Sequence, residues 1–389
     1  PIYNVYWGSY RGLSIVGIKA ASLFYFEKHP NELDEYEAAI LIGMLKGPNL
    51  YSPFYKNSKF IINRSNLIYK KLTDEGFFFG KIEQWTNRSW DKWLKTKFET
   101  RFFLLGALNF ENDISFEVFT LNYFLNKKIF WLNSTFKKGE FEYQVFWKNI
   151  SGRETSIISR NGIIEQRKNT GSLLKPIVYG YLFEELDPAQ EFETKPLEFD
   201  LKSGKWAPSD HYKGEGPVSL SVALSQSLNL PYLRASKVYS FDKLEDHLAA
   251  ILPGLKTPLS EYPAQLLGSY EMTPSQVFQV YRPFLEKKCK NAGIRQVYKI
   301  LSDPTNSTTS KWMKELEGAS FFGKTGTSNN GFDNWYIFHD SIDLFVIWIG
   351  HVGPRDVGSF ALSGAGVSFD VLRDFLTSRA KNIGQSTCD

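Results

Sequence analysis

The segment that most constrains this chain is Gly323-Lys324-Thr325-Gly326-Thr327-Ser328 with its flanks. It follows an aromatic pair, Phe321-Phe322, and runs into a polar turn, Ser328-Asn329-Asn330-Gly331. Two apolar, strand-like runs come next, at 334–339 and 343–351. The pattern predicts strands in which the Lys-Thr-Gly segment is an edge strand carrying an ammonium, a hydroxyl and a bare stretch of backbone. Such an edge suits a ligand with a carboxylate and an extended peptide backbone.

At 389 residues the chain is too long for one ordinary core, so two or more domains are expected. Hydrophobic residues at 42% and aromatics at 16% supply enough apolar surface for packed structure. The net charge of +4 is mild and no dense Lys/Arg stripe occurs, which argues against a nucleic-acid partner. The five histidines are scattered without a metal-binding spacing, and neither a metal nor a cofactor is expected. Cys289 and Cys388 lie far apart; a disulfide is open, with a pair of inert thiols the preferred reading. No apolar run reaches the 18 or more residues of a membrane helix. The chain starts at Pro1 in sequence that already reads as ordered, so its beginning is expected to lie upstream.

In chain order, residues 1–56 read as helical, with one helix over 18–27 and another from Asp34, where Asp34 and Glu37 have capping-box spacing. A further amphipathic helix is expected over 57–75, and 80–108, with Trp85, Trp90 and Trp93, reads as a connector. From about residue 112 short apolar runs alternate with turns: a run over 114–121, a helix-like 122–132 and a strand-like 143–147. Helical sequence returns at 172–186 and 219–236, and the Pro-, Gly- and Asp-rich 187–217 reads as loop. Residues 287–310 read as loop plus strand, and 367–380 as the last helix. Strands at both ends with helices between predict an α/β (α+β) domain, its helices packed on an antiparallel sheet.

Two upstream motifs give the Lys-Thr-Gly its meaning. Ser172-Leu173-Leu174-Lys175 opens a predicted helix, and residues i and i+3 share a helix face, so a lysine amine sits beside a serine hydroxyl. Ser-x-x-Lys is a cheap pattern, met four more times in this chain (Ser89/Lys92, Ser134/Lys137, Ser240/Lys243, Ser378/Lys381), where a solvated surface explains it. Ser227-Leu228-Asn229 ends an amphipathic segment just before Pro231 and by itself reads as a helix-end cap or turn. Lys-Thr-Gly occurs once, where chance supplies a given tripeptide in about 5% of chains this long. Order and setting carry the weight: Ser-x-x-Lys, then Ser-x-Asn, then Lys-Thr-Gly-Thr on a predicted edge strand is the pattern of penicillin-recognising serine acyl-transferases.

Residues 109–389 resemble the transpeptidase domain of class A penicillin-binding proteins, bifunctional peptidoglycan synthases, closest to their type 1b branch. Besides the three motifs, Gly204-Lys205-Trp206-Ala207-Pro208, Leu267-Gly268-Ser269-Tyr270-Glu271-Met272-Thr273-Pro274 and Asp333-Asn334-Trp335-Tyr336 carry the likeness. Residues 1–56, with Tyr6-Trp7-Gly8 and Leu33-Asp34-Glu35-Tyr36-Glu37, resemble the end of that family's glycosyltransferase domain. The resemblance implies a small all-α glycosyltransferase remnant over 1–56, a helical linker over 57–108 and a penicillin-binding, serine β-lactamase-like domain over 109–389. Glycan polymerisation by this fragment is not expected, because the family's catalytic acids lie earlier.

By the same resemblance Ser172 is the nucleophile, Lys175 its base, Ser227 a proton relay and Lys324 a second cation that keeps Lys175 neutral. Asn229, Thr325, Gly326 and Thr327 are the implied substrate-binding residues, and the backbone N–H groups of Ser172 and Thr327 the implied oxyanion hole. The implied partners are peptidoglycan stem peptides ending in D-Ala-D-Ala, an amine acceptor and β-lactams. The implied location is the outer face of the bacterial cytoplasmic membrane, with the anchor upstream. The triplet alone does not separate a transpeptidase from a D,D-carboxypeptidase or a β-lactamase; the likeness of 1–56 favours a synthase. A silent scaffold module would not need all of Ser172, Lys175, Ser227, Asn229, Lys324 and Thr325.

Overall fold

The computed structural model describes residues 5–10, 13–26, 28, 30–53, 59–79, 116–148, 154–158, 166–210, 214, 216–303, 321–340 and 343–378. The expected connector with its three tryptophans lies outside these residues. The chain forms two compact units, 1–131 with 374–380 and 132–373 with 381–389.

The first unit opens with an antiparallel hairpin, β1 (Tyr6–Tyr10) and β2 (Leu13–Val16), where helical sequence was expected. Helices α1 (Ile18–Phe26), α2 (Glu35–Met44) and α3 (Lys59–Asp74) follow. The expected capping box is present: Glu37 N–H donates to Asp34 Oδ1 at 2.8 Å and Asp34 N–H donates back to Glu37 Oε2 at 3.0 Å. Two otherwise orphaned donors are satisfied this way, which sets where α2 begins. The apolar faces of these elements meet in one core of Trp7, Ile15, Phe24, Tyr25, Ile40, Met44, Ile61 and Tyr69, among others. Helix α4 (Phe116–Thr135) takes in both the run expected as a separate strand-like piece and the helix after it.

In the second unit, β3 (Phe141–Lys148) and β4 (Glu154–Ile158) precede a two-residue strand β5 (Lys168–Asn169), a 3-10 turn at Gly171–Leu174 and helix α5 (Lys175–Glu185). Short strands β6 (Glu191–Phe192), β7 (Phe199–Leu201), β8 (Gly204–Trp206) and β9 (Val218–Ser219) lie around the expected loop. Then come α6 (Leu220–Ser225), α7 (Leu230–Tyr239), α8 (Phe241–Ala249), β10 (Glu271–Met272), α9 (Pro274–Glu286) and α10 (Ala292–Ser302). Strands β11 (Phe322–Thr327), β12 (Asp333–His339) and β13 (Leu344–His351) and helix α11 (Ser368–Ser378) complete the described chain. The main sheet is antiparallel with the order β11-β12-β13-β3-β4, so the Lys-Thr-Gly strand is an edge, as its sequence implies.

Two differences from the sequence reading have physical causes. Residues 287–310, expected as loop plus strand, hold α10: Asn291 Oδ1 accepts from Ile294 N–H at 2.8 Å, and Ile294, Val297, Tyr298 and Leu301 form a buried stripe at helical spacing. The single helix expected over 219–236 is broken into α6 and α7, because Ser227 takes a left-handed backbone (φ 59°) between them. The preferred reading of Cys289 also fails, since it is disulfide-bonded; Cys388 lies outside the described residues. Separation in sequence says nothing about separation in space, which alone decides whether two cysteines can bond. The core of this unit joins the buried face of the sheet (Phe322, Trp335, Ile337, Val346, Trp348) to the apolar faces of α5 to α10.

Candidate active site

Three backbone segments meet to build the site, and each is held differently. The first is the nucleophile turn. Ser172 lies in the 3-10 turn, and the α-helix starts only at Lys175, so the expectation of a helix opening at Ser172 is corrected. Lys175 N–H donates to Ser172 O across this turn, and a spacing of three residues brings the two side chains to one side of the backbone. Ser172 is half-buried and Lys175 is fully buried. The turn is pinned through Thr170, whose N–H and Oγ1 both donate to Tyr270 O (3.2 and 3.0 Å), and through Gly171 N–H to Gly268 O at 3.2 Å. Gly171 has φ +54°, and a Cβ there would lie 2.5–2.8 Å from the Thr327 backbone. Glycine is required on both counts, and its absence of a side chain lets the turn press backbone to backbone on β11.

The second segment is the edge strand. Ser328 N–H donates to Asp333 O at 3.0 Å, which makes 328 and 333 a hydrogen-bonded pair of the β11–β12 ladder. By alternation, the N–H and C=O groups of Thr325 and Thr327 point away from β12 toward the open edge. Thr327 Oγ1 accepts from Gly364 N–H at 3.0 Å, leaving its own proton to donate. A Cβ on Gly326 would meet Thr170 O at 2.4 Å and Leu173, so its missing side chain makes room for the nucleophile turn.

The strand is locked at its far end by Asp333, which is fully buried. Its carboxylate accepts from both guanidinium nitrogens of Arg355 (2.9 and 3.2 Å), from Ser328 Oγ (2.7 Å) and from Trp348 Nε1 (3.2 Å). A buried carboxylate held by that many donors is satisfied rather than costly.

The third segment is the break between α6 and α7. Ser227 N–H donates to Leu224 O at 3.0 Å and Leu228 N–H to Ala223 O at 2.8 Å, which turns the chain so that Ser227 and Asn229 both face Lys175. Lys175 Nζ donates to Ser227 O at 2.5 Å and to Asn229 Oδ1 at 2.7 Å. Lys324 Nζ donates to Ser227 Oγ at 2.9 Å and to Thr325 O at 2.7 Å. These contacts join five of the residues named from sequence, Lys175, Ser227, Asn229, Lys324 and Thr325; the hydrogen bonds of Lys175 go to the Ser227 loop and not to Ser172.

Burial dominates the electrostatics. Desolvation, reinforced by the nearby Lys324 charge and opposed by Asp210, holds the Lys175 amine well below the ordinary lysine range. Desolvation also brings Lys324 down to about 7. The sequence reading missed Asp210, whose Oδ2 accepts from the N–H groups of Asn229 (2.6 Å) and Leu230 (3.0 Å). A lone aspartate in a Pro- and Gly-rich loop carries no pattern that would single it out. Among the described residues no cluster of His, Cys, Asp and Glu could hold a metal, and no helix is long and apolar enough to cross a membrane. A cavity of about 680 Å³ lies elsewhere in this unit, lined by Arg167, Lys205, Trp206, Lys256, Tyr262 and Glu271 among others, with none of the motif residues in its wall.

Known proteins similar to this chain fall into one group. The transglycosylase family matches residues 2–73. The chain is 25% identical to penicillin-binding protein 1B of Buchnera aphidicola subsp. Baizongia pistaciae across 93% of its own length and 57% of the relative's. It is also 25% identical to penicillin-binding protein 1B of Vibrio cholerae, across 97% of this chain and 56% of that protein. It therefore spans a little over half the length of these curated relatives. Among solved structures, penicillin-binding protein 1A from Haemophilus influenzae superposes with a TM-score of 0.59 at 14% identity, covering 99% of this chain and 85% of that one. The penicillin-binding protein PonA1 from Mycobacterium tuberculosis gives 0.51 at 16% identity over 68% of this chain and 84% of that one. The fold, a mixed helical and antiparallel-sheet architecture, is that of penicillin-binding proteins. The chain is similar to class A penicillin-binding proteins: its first residues match the transglycosylase family, and the relatives and solved structures it resembles over most of its length are penicillin-binding proteins.

Proposed function

We propose that this chain is a D,D-transpeptidase that cross-links peptidoglycan stem peptides through an acyl-enzyme on Ser172. The observation that carries the reading is the meeting of two buried amines, Lys175 and Lys324, on different atoms of Ser227, one turn from Ser172. A neutral amine has two N–H donors and one lone pair. Ser227 O and Asn229 Oδ1 take the two donors, so the lone pair is left for the Ser172 proton.

Ser172 Oγ attacks the carbonyl of the penultimate D-Ala, forming the Oγ–C ester bond while its proton passes to Lys175 Nζ. The developing oxyanion is held by the N–H groups of Ser172 and Thr327, the latter on the open edge of β11; each such donor contributes about 3–4 kcal/mol. The C–N bond then breaks, and Ser227 Oγ relays the proton to the leaving D-Ala amine. The amine of a second stem peptide attacks the ester carbonyl, the new C–N bond forms as the C–Oγ bond breaks, and the proton lost by the amine returns to Ser172 Oγ. Lys324 and the hydroxyls of Thr325 and Thr327 bind the terminal carboxylate, and the peptide lies along the β11 edge as an added strand. β-Lactams, which mimic the D-Ala-D-Ala end, trap the same ester.

In this reading the glycosyltransferase end covers 1–56, a helical linker 57–108 and the transpeptidase domain 109–389. Helix α3, at the start of the linker, shares the core of the first unit. The site works on the outer face of the bacterial cytoplasmic membrane, anchored through the parent protein. The bonded Cys289 supports an oxidising compartment of that kind.

Fluorescent penicillin tests the proposal. A covalent label on the wild type that is absent from Ser172→Ala is expected. An unlabelled wild type would overturn the acyl-enzyme, and a label that clears within seconds would make the chain a D,D-carboxypeptidase or β-lactam hydrolase instead.

A further inference from the structure

Helix α7 begins at Asn229, a residue type that ordinarily caps the helix it starts. Here it does not: no side-chain cap bond forms at Asn229. Its amide is turned away, with Oδ1 accepting from Lys175 Nζ at 2.7 Å and Nδ2 donating to Ser209 O at 2.7 Å. Opening residues of a helix have no intrahelical acceptor for their N–H groups, and buried N–H groups left unpaired are expensive. The acceptor is supplied from nineteen residues away, where Asp210 Oδ2 takes both Asn229 N–H and Leu230 N–H. The same carboxylate lies close enough to oppose the loss of charge at Lys175.

We propose that Asp210 is a positioning residue of this site: by capping α7 in place of Asn229 it frees the Asn229 amide to hold Lys175. What Lys175 does there rests on the acyl-transfer reading; the positioning stands on geometry alone. Among the described residues, the titratable groups that face Lys175 come from several elements. Lys324 lies on β11 and Asp210 on the loop after β8. Tyr232 on α7 presents its ring 5.6 Å from Nζ. Tyr179 lies on α5 itself, and Tyr281 on α9 donates to Leu173 O. Burial pushes all three phenols above their ordinary value, so they stay neutral through the working range. The charges that change the balance at Lys175 are therefore Lys324 and Asp210.

The test compares the acylation rate by fluorescent penicillin, across pH 5.5 to 9.5, for the wild type, Asp210→Asn and Asp210→Ala. Removing the negative charge makes the Lys175 ammonium less favourable. The acid limb of Asp210→Asn therefore moves down by about half a pH unit, with a plateau within about threefold of wild type because an amide oxygen can still cap. Asp210→Ala loses the cap as well, and its plateau falls about tenfold or more. Profiles for both variants that superimpose on the wild type overturn the proposal. A crystal structure of Asp210→Ala reads the positioning part without any acylation. Loss of the Asn229 Oδ1 to Lys175 Nζ bond is expected there, and an intact bond overturns that part even if the protein reacts with no penicillin.

Discussion

Two aspartates hold the two sides of this site, and they do so in opposite ways. Asp333 ties β11 to β12 and β13 from inside the protein, with a bidentate arginine, an indole and a hydroxyl all donating to it. Asp210 holds the Ser227 loop from its rim, through the backbone N–H groups of Asn229 and Leu230, and is itself part-exposed. The strand is over-determined, since six residue pairs of ladder remain if one contact goes. The loop depends on a few point contacts and keeps a left-handed serine in place with them. A rigid wall therefore faces an adjustable one, and both buried amines, Lys175 and Lys324, donate to Ser227 on the adjustable side.

The largest effect is expected at Asp333. Asp333→Ala leaves the Trp348 indole and the Ser328 hydroxyl without their common acceptor while the exposed Arg355 guanidinium turns to water, and each buried donor left unpaired costs about 1–3 kcal/mol. Chemical denaturation followed by tryptophan fluorescence should register that loss of stability, whereas Asp210→Ala should lose acylation with a much smaller change in folding. Equal destabilisation by both would mean that the two carboxylates do the same work. Next in size is Gly171→Ala. The new Cβ would sit 2.5 Å from Thr327 O on a backbone at φ +54°, and neither the strand nor the turn has room to give. A displacement of the nucleophile against β11 by a fraction of an ångström is expected to slow penicillin acylation about 100-fold with the protein still folded. A rate within threefold of the wild type would show that the wall is softer than described.

The rigid wall was legible in sequence and the adjustable one only in part, for a physical reason. Alternation and turn residues from 321 to 351 announce strands, because a sheet edge is a local pattern with period two. The same holds for the Asp34 capping box, a contact three residues long. By contrast, the helical period runs straight through Ser227, and the break there depends on contacts made elsewhere. Ser225 and Leu224 are buried on the α6 side, and the α7 side is capped by a residue in a different loop. Asp210, the covering of Gly326 by Thr170, and the bonded state of Cys289 are all long-range facts with no local signature. Helix α10 was missed although its stripe is regular, because the basic, Asn- and Gly-containing stretch around 287–293 reads as turn chemistry before it reads as a cap.

A pH experiment sharpens the contrast with a sign. Lys324 and Asp210 push Lys175 in opposite directions, so their removal must move the acid limb of acylation in opposite directions. Lys324→Met removes a like charge, raises the Lys175 pKa and moves the limb up by about half a pH unit, alongside a loss of rate of about tenfold from the missing Ser227 contact. A limb that stays put, with the rate unchanged at saturating substrate, would leave Lys324 as a carboxylate anchor only. Stability carries the companion sign. The folded chain releases the Lys324 proton at about 7, while the unfolded chain keeps it to about the ordinary 10.5. Stability contributed at this position is thus low below about 7 and rises with pH across that window. Lys324→Met should flatten the rise, which denaturant titrations at pH 7 and pH 9 can measure.

The smallest effect isolates the strain in the loop. Ser227 at φ 59° occupies a backbone region that costs an ordinary residue about 1 kcal/mol and glycine almost nothing. Ser227→Ala and Ser227→Gly both delete the hydroxyl that meets Lys324, so both should lose acylation to the same degree. They should differ in stability by about 1 kcal/mol, with the glycine variant the more stable. Part of that gain is cancelled by the greater freedom of glycine in the unfolded chain, so the difference is best read from denaturation midpoints of the two variants side by side. If alanine proves as stable as glycine, the loop relaxes when its hydroxyl is gone, and the left-handed turn is held by the Lys324 contact rather than by the ends of α6 and α7. A persistent difference would mean that the helix ends impose the strain, and that serine is tolerated at this bend for the sake of its hydroxyl.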